Sequence, residues 1–160
     1  MRLAKPQVKA LLEIMSSDDA RPALCHAWIQ NINDYPQLVA TDSYHAVMFK
    51  LPKGMIGQAG QSIDRVDLTR FYKLMERKDL LGDDEVAAML KKSGRTFPKL
   101  NLILENIPEE GNTEQISFNA NYAIDLEKVA GQPLTYQTTG RLNPMVATSD
   151  NNTFILMPLK

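Results

Sequence analysis

The chain has 160 residues, of which 44% are hydrophobic and 23% are charged, a composition that excludes a disordered or fibrous protein. This length suffices for one domain with a hydrophobic core of its own. The 18 basic and 19 acidic residues give a net charge of −1, which argues against a polycation that binds nucleic acid by charge alone. Cys25 is the single cysteine, so an internal disulfide is excluded, and no apolar run reaches the roughly 18 residues of a membrane span. We therefore expect a cytoplasmic protein that is not attached to a membrane.

The first 52 residues predict a helix followed by three short strands. One helical face, with the spacing i, i+3, i+4 and i+7, is formed by Val8, Leu11, Leu12 and Met15. From Cys25 to Gln30 the pattern of side chains has a period of two, which is typical of a strand. Turn-forming residues at 33–36 separate this strand from two others, expected near 37–41 and 45–51.

The middle of the chain, residues 53–94, predicts mainly helix after an opening loop. Glycines and a proline within 52–63 indicate a surface loop. The next helix is expected to have Asp67 as its N-cap and to bury one face, formed by Leu68, Phe71, Tyr72 and Met75. Residues 80–96 are ambiguous, although the acidic run at 83–85 suits the start of a short helix. Residues 97–108 indicate an extended, partly buried segment.

The last third repeats the opening plan. A strand is expected at 115–118, followed by a helix that Asn119 or Asn121 caps and that ends at Gly131. Further strands are expected near 134–138, 144–148 and 153–157. Helices beside strands that are joined by short turns predict an α+β fold, with antiparallel sheet and helices packed on one face.

Four segments of the sequence carry motifs that can be compared with known families. They are LVATDSYHAV at 38–47, RTFPKL at 95–100, FNANYAID at 118–125 and TFILMPLK at 153–160. In the same order, they resemble L-x-A-T-D-G-x-R-L-A, G-x-F-P-D-Y, F-N-x-x-Y-L-L-D and the closing Y-L-x-M-P-x-R of bacterial DNA polymerase sliding clamps, the beta subunit of DNA polymerase III. Each motif alone is weak, but four in the family's order are a much stronger signal.

The resemblance implies a DNA-clamp-like α+β fold built from two pseudo-repeated halves of a helix with antiparallel strands. We expect one domain over 1–160, with halves at about 1–52 and 95–160 and a helical middle segment at 53–94. Clamps of this family carry three such domains per chain and close into a dimeric ring, whereas this sequence has material for one. Tyr44 and His45 replace the usual His-Arg pair and Lys160 replaces a terminal arginine, so assembly as a homo-oligomeric ring is left open.

A peptide-binding groove is the main functional feature that the resemblance implies. In clamps these segments line a hydrophobic groove that takes short peptide tails of DNA polymerases and repair proteins. The corresponding residues here are Thr41, Ser43, Tyr44, His45, Ala46, Pro98, Ile103, Ile155, Met157, Pro158 and Leu159. The competing interpretation is that Ile155, Met157 and Leu159 belong to a last strand that packs into the core.

Double-stranded DNA is the second expected partner, since clamps contact phosphates through basic helices without recognising base sequence. Arg70, Lys73 and Arg77 lie at i, i+3 and i+7, opposite the apolar stripe of the second helix. Lys5 and Lys9 add a smaller basic strip near the first helix. A solvated helix face with no ligand explains the same charges equally well.

An enzyme is disfavoured, and no cofactor or metal is expected. Cys25 and His26 are strand neighbours that point to opposite faces, so they do not form a nucleophile and base pair. We predict a non-catalytic, sliding-clamp-like protein of DNA replication or repair, with a role in processivity, that binds partner peptide tails and contacts DNA. The alternatives are a monomeric peptide-interaction module or decoy that does not encircle DNA, and a relic of the fold that has neither partner. The mass in solution separates ring from monomer.

Overall fold

The fold is seen in a computed structural model, which describes residues 1–75, 79–100, 102, 117–138, 140, 143–149 and 152–158. Its helices are α1 (Lys5–Ile14), α2 (Arg65–Leu74), α3 (Asp83–Met89) and α4 (Ala120–Ala130), with 3-10 turns at Pro22–Cys25 and Lys53–Gln58. Its strands are β1 (Leu3–Ala4), β2 (His26–Ile32), β3 (Tyr35–Thr41), β4 (His45–Lys50), β5 (Gln61–Asp64), β6 (Leu80–Leu81), β7 (Lys91–Lys92), β8 (Met145–Ser149) and β9 (Asn152–Leu156).

Seven of these strands form one antiparallel sheet in the order β7–β5–β2–β3–β4–β9–β8. The strands β2, β3 and β4 are consecutive hairpins at its centre, and β9 from the C-terminal part of the chain pairs directly with β4. The short strands β1 and β6 pair separately, with Leu3 opposite Leu81. Antiparallel strands joined to helices in this way make an α+β fold, as the sequence predicts.

The helices pack on one face of the sheet, with α1 against α2, α4 and the central strands. Each helix buries at least one leucine or valine completely: Leu11 in α1, Leu68 in α2, Val86 in α3 and Leu126 in α4. Together with the sheet residues on the same face these side chains form the main core. None of the helices within the described residues is long and apolar enough to cross a membrane.

The opposite face of the sheet carries a second, smaller core, which we call the back cluster. It consists of Leu24, Trp28, Ile32, Val39, Ala46, Met48, Phe97, Leu100 and Ile155. The Trp28 ring stacks on Phe97 at a centroid distance of 5.5 Å, and its Nε1 donates a hydrogen bond of 2.9 Å to the Ala23 carbonyl oxygen. The segment around Phe97 and Leu100 therefore covers this face of the sheet.

Several sequence predictions agree with the structure. The predicted alternation of β2 is observed, because Ala27 and Ile29 face the helices whereas Trp28 and Ile32 face the back cluster. Asn119 caps α4 by accepting a hydrogen bond from the Asn121 amide, and Gly131 ends the helix at φ 71°.

Other predictions need correction. The loop expected at 52–63 contains a 3-10 turn and β5, so the middle segment contributes a strand to the main sheet. The N-cap of α2 is Asp64 rather than Asp67, since the Asp64 carboxylate accepts a hydrogen bond of 2.7 Å from the Val66 amide. The strand expected near 134–138 is reduced to one bridge between Gln137 and Val146.

Two further predictions fall partly outside the described residues. Of the strand expected at 115–118, only Ser117 and Phe118 are described, and neither is in a strand; in the segment expected to be extended at 97–108, Leu100 and Leu102 are helical and most other residues lie outside the described ones.

Candidate functional site

The turn between β3 and β4 is held by its own side chains. The Thr41 hydroxyl donates to the His45 carbonyl oxygen at 2.8 Å and accepts from the Ser43 amide at 3.1 Å. The Asp42 carboxylate accepts hydrogen bonds from the amides of Tyr44 and His45, at 2.9 and 3.0 Å, and contacts His45 Nδ1 at 2.7 Å. These bonds define the conformation of the turn without help from a ligand.

The charge of the Asp42 carboxylate also stabilises the turn between β3 and β4. Burial raises the pKa of the Asp42 carboxyl, but the hydrogen bonds from the His45 ring and from the His45 and Tyr44 amides outweigh it, so the pKa lies below its ordinary value of 3.8. Arg21 adds an outer contact, with Nη1 donating to the Asp42 carbonyl oxygen at 3.2 Å. The turn therefore carries a carboxylate that stays ionised at neutral pH.

The C-terminal strand lies directly beside this turn. Ala46 pairs with Ile155 and His45 with Leu156 across β4 and β9. One residue further, the Met157 amide donates a hydrogen bond of 3.0 Å to the Tyr44 carbonyl oxygen. Two of the segments that the sequence assigns to the groove, 41–46 and 155–158, are thus brought together by strand pairing.

Several of these candidate groove residues are buried. Ala46 and Ile155 are buried in the back cluster, and Met157 is half-buried against it. Thr41 is buried as well. Fully buried side chains form the floor under a surface rather than its contact area, so any ligand here would touch Met157 and its exposed neighbours first.

An aromatic group on α4, which the site prediction did not include, completes this end of the sheet. Tyr44 is half exposed, and its ring stacks on Tyr122 with centroids 5.5 Å apart. The buried His45 ring lies 5.0 Å from the same Tyr122 ring. The signal that could have pointed to Tyr122 is its place in the FNANYAID motif.

The remaining groove candidates lie further away or outside the described residues. Pro98 is exposed, and its carbonyl oxygen accepts a hydrogen bond of 2.8 Å from Gln30 Nε2, two strands away from β4. Its neighbours Phe97 and Lys99, together with Trp28, line an open cleft of about 450 Å³. Pro158 is half-buried beside Met157. Ile103 and Leu159 lie outside the described residues.

The basic residues predicted to contact DNA lie on the helical layer. Arg70 and Lys73 are exposed on α2, while Lys5 and Lys9 lie on α1 beside a cleft of about 580 Å³. Lys9 lies 3.6 Å from Glu13, and that cleft also contains Asp79, so its charge is mixed. Arg77 lies outside the described residues.

Groups that could support catalysis are not assembled in the part of the chain that the structure describes. No three His, Cys, Asp or Glu side chains there are close enough to hold a metal ion. Cys25 ends a 3-10 turn, burial raises the pKa of its thiol, and its Sγ faces the Asp18 carbonyl oxygen at 3.4 Å. The His26 ring instead contacts Ser62 and Arg95.

The chain is similar in structure to bacterial sliding clamps. It matches a sliding clamp (DNA polymerase III subunit beta) from Bartonella birtlesii, solved with griselimycin bound, at TM-score 0.69 and 15% identity over 99% of this chain and 65% of that one. The clamp from Pseudomonas aeruginosa matches at 0.65 and 13% over 100% and 66%, and that from Bacillus subtilis at 0.64 and 12% over 100% and 64%. No protein-family model and no curated protein matches the sequence.

These matches show that the chain has the fold of bacterial sliding clamps, which confirms the fold that the four motifs predict. The chain spans about 65% of the length of the clamps it matches, while they cover nearly all of it. At these identities the likeness concerns the fold alone, and activity and partners have to be argued from the site.

Proposed function

We propose that this protein is a non-catalytic, sliding-clamp-like protein of DNA replication or repair that holds the peptide tails of polymerases or repair enzymes. The binding surface would be the end of the sheet where the Thr41–Ala46 turn meets Met157 and Pro158. We call it the turn surface. Partners would be held by burial of apolar side chains against this surface.

The observation that carries the proposal is the hydrogen bond from the Met157 amide to the Tyr44 carbonyl oxygen. It keeps a flexible, half-buried methionine next to an exposed tyrosine, above the buried Ala46 and Ile155. Methionine adapts its shape to different apolar anchors, which suits a surface shared by several partners. Pro158 offers no amide, so a peptide here would bind through side chains rather than by adding a strand.

The decisive experiment is Met157→Asp, measured for peptide affinity and for melting temperature. The probe is a short synthetic peptide with one glutamine and two or three large apolar residues, and we expect micromolar affinity, about −8 kcal/mol, for the unaltered protein. Met157→Asp should abolish binding while the protein stays folded, because Met157 lies at the margin of the back cluster. Ile155→Asp is the matched control and should unfold the domain, because its side chain is fully enclosed.

A monomeric peptide-interaction module is the second candidate, and the sheet edges favour it over a ring. Rings that join edge to edge need free strands at both ends of the sheet. One edge here is β7, only the two exposed lysines Lys91–Lys92, and the other, β8, is partly covered by the bridge from Gln137 to Val146. Short, lysine-bearing edges resist such pairing. Sedimentation equilibrium decides: the monomer has a mass of 18.0 kDa, and a ring requires a multiple of it.

Contact with double-stranded DNA is a separate proposal, and it rests on the basic residues of the helical layer. If the cations of α1 touch phosphates, retention on a duplex of any sequence should fall steeply with salt. Replacing Lys5 and Lys9 by glutamine should lower the slope of log affinity against log salt by about 1 for each phosphate that a lysine no longer neutralises. Unchanged retention would return these lysines to an ordinary solvated helix face.

A further inference from the structure

The outer face of α2 exposes two large apolar side chains that the proposed function does not use. Val66 is 76% exposed and Leu74 is 58% exposed. The helix has already buried its inner face through Leu68 and Met75, both fully enclosed. The exposed pair therefore belongs to a second apolar stripe, on the side that faces away from the core.

The two side chains belong to one continuous depression. It has a volume of about 560 Å³ and is lined by Arg65, Val66, Thr69, Arg70, Lys73 and Leu74. Arg65, Thr69 and Lys73 lie in one row at four-residue steps, and Val66, Arg70 and Leu74 lie in the adjacent row, so together they form one face of the helix. At 1.5 Å per residue each row is about 12 Å long, which matches two turns of a helix lying alongside.

The charge of this face is entirely positive. Arg70 and Lys73 are exposed, and neither forms an ion pair within the described residues. The carboxylates of this region are engaged elsewhere, since Asp64 caps the helix and Asp67 pairs with Lys91 at 2.6 Å. Two cations between two exposed apolar residues are thus available to a partner of opposite charge.

Phosphates do not explain this combination. DNA backbone contacts need cations and hydrogen-bond donors, whereas Val66 and Leu74 contribute neither and would lie against a hydrated polyanion. A second copy of the same face is also disfavoured, because it would bring Arg70 and Lys73 against their own counterparts. An amphipathic helix with an apolar stripe flanked by carboxylates can bury that stripe against Val66 and Leu74 and pair its carboxylates with Arg70 and Lys73.

We propose that the outer face of α2 docks an acidic amphipathic helix of a partner protein. Val66 and Leu74 anchor its apolar stripe, and Arg70 and Lys73 pair with its carboxylates. This site lies on the helical layer, whereas the turn surface lies at the end of the sheet around Met157. The two sites are therefore independent, and the failure of one leaves the other standing.

The test uses the full chain and a synthetic helix of about 18 residues, with leucines at helical spacing and glutamates flanking them. The control peptide has lysine at every glutamate position. Titration followed by amide chemical shifts should place the glutamate peptide on α2. The double variant Val66→Ser/Leu74→Ser should weaken binding about tenfold or more, as for apolar anchors of an interface. Arg70→Gln/Lys73→Gln should weaken it and remove its salt dependence, and Met157→Asp should leave it unchanged.

Three results would overturn the proposal. The glutamate peptide could fail to bind, the lysine peptide could bind equally well, or the Val66→Ser/Leu74→Ser variant could bind as tightly as the unaltered chain. A fourth comparison uses duplex DNA. If DNA retention disappears in Arg70→Gln/Lys73→Gln but is kept in Val66→Ser/Leu74→Ser, and the peptide does not bind, the face is a phosphate surface and the docking proposal is wrong.

Discussion

The Met157 amide donates a hydrogen bond to the Tyr44 carbonyl oxygen at 3.0 Å, one residue beyond the last residue of β9. This bond extends the pairing of β4 and β9 to the start of the turn. Pro158 follows and has no amide hydrogen, so it cannot donate to a continued ladder. The place where the chain leaves the sheet is thus defined by the hydrogen-bonding capacity of two adjacent residues, and it lies within the surface proposed to bind peptides.

Ser43 is held in a left-handed conformation, with φ 86°. Such a conformation costs an L-residue other than glycine about 1 to 2 kcal/mol. Ser43 also occupies the position at which the clamp motif has glycine. We expect Ser43→Gly to raise the free energy of unfolding by up to about 1 kcal/mol, measured by urea denaturation.

The control for this prediction is Ser43→Ala, which removes the hydroxyl but keeps the strained backbone. The Ser43 hydroxyl lies 3.5 Å from Arg21 Nη1, a contact too long to contribute much. The alanine variant should therefore be no more stable than the unaltered protein. A gain of equal size in both variants would mean that the hydroxyl, and not the backbone, is unfavourable.

The N-terminus of α2 provides a second comparison between neighbouring carboxylates. Asp64→Ala should cost about 1 kcal/mol, since it removes the side chain that accepts the Val66 amide. Asp67→Ala removes an ion pair with the exposed Lys91 and a negative charge from the first turn of the helix, and each is worth at most about 1 kcal/mol and is weakened by salt. Urea denaturation in low and high salt should show that only the Asp67 effect is salt-dependent. A larger loss for Asp67→Ala in high salt would return the cap to the position predicted from sequence.

The contact that fixes the actual start of α2 lies outside the helix, so the pattern of the helix itself favours Asp67 as the cap. Both aspartates suit the start of a helix, and the apolar row that begins at Leu68 favours the later one. The earlier start is fixed by Arg65, whose guanidinium donates to the carbonyl oxygens of Leu12 and Met15 at 2.6 and 2.7 Å. That contact joins residues about 50 positions apart, and the periodicity of a single segment gives no information about such a contact.

The strands and the site were predictable to different degrees. Both ends of α4 were predicted from sequence, the C-terminal end at Gly131 and the N-terminal end at Asn119 or Asn121, of which the structure selects Asn119. The strand β5 could not, because four residues after Gly60 are too few to show a period. The family resemblance implied that segments 41–46 and 155–158 meet, but their pairing as β4 and β9 was not predicted. The stacking of Tyr44 on Tyr122 joins residues far apart in sequence, so no local pattern reveals it.

Truncation of the helix anchors tests the packing of the helical layer. Leu11→Ala, Leu68→Ala and Leu126→Ala should each cost about 2 to 5 kcal/mol, because all three side chains are fully buried. Phe71, predicted from the sequence to lie on the buried face of α2, is only partly buried, so Phe71→Ala should cost less than Leu68→Ala. Val66→Ala, at an exposed position of the same helix, should change stability by less than about 0.5 kcal/mol. A Phe71 effect larger than that of Leu68 would show that the inner face of α2 is assigned wrongly.

The last prediction concerns the pH dependence of stability and rests on His26. Arg95 Nη1 lies 2.7 Å from His26 Nε2, and Ser62 Oγ lies 3.2 Å from His26 Nδ1. A guanidinium can only donate, so the Arg95 contact requires Nε2 to accept and favours a neutral ring, whereas the Asp64 carboxylate 3.4 Å from Nε2 favours the protonated one. Burial is the largest cause that lowers the pKa of His26 below 6.5, and the charges of Arg95 and Lys91 act in the same direction against the opposing Asp64.

The sign of the effect follows from proton binding. Between the folded pKa and 6.5 the unfolded chain binds more protons at His26 than the folded chain does, so the free energy of unfolding falls as pH falls below about 6.5. His26→Gln should flatten this part of the profile, measured by urea denaturation from about pH 8 to about pH 2. The lowered pKa of the Asp42 carboxyl makes its charge stabilising above its ordinary pKa of 3.8, and this contribution is lost only at more acidic pH. The loss of stability at acidic pH that comes from Asp42 should therefore persist in His26→Gln. A slope near pH 6 that survives the His26→Gln substitution would assign the titration to another group.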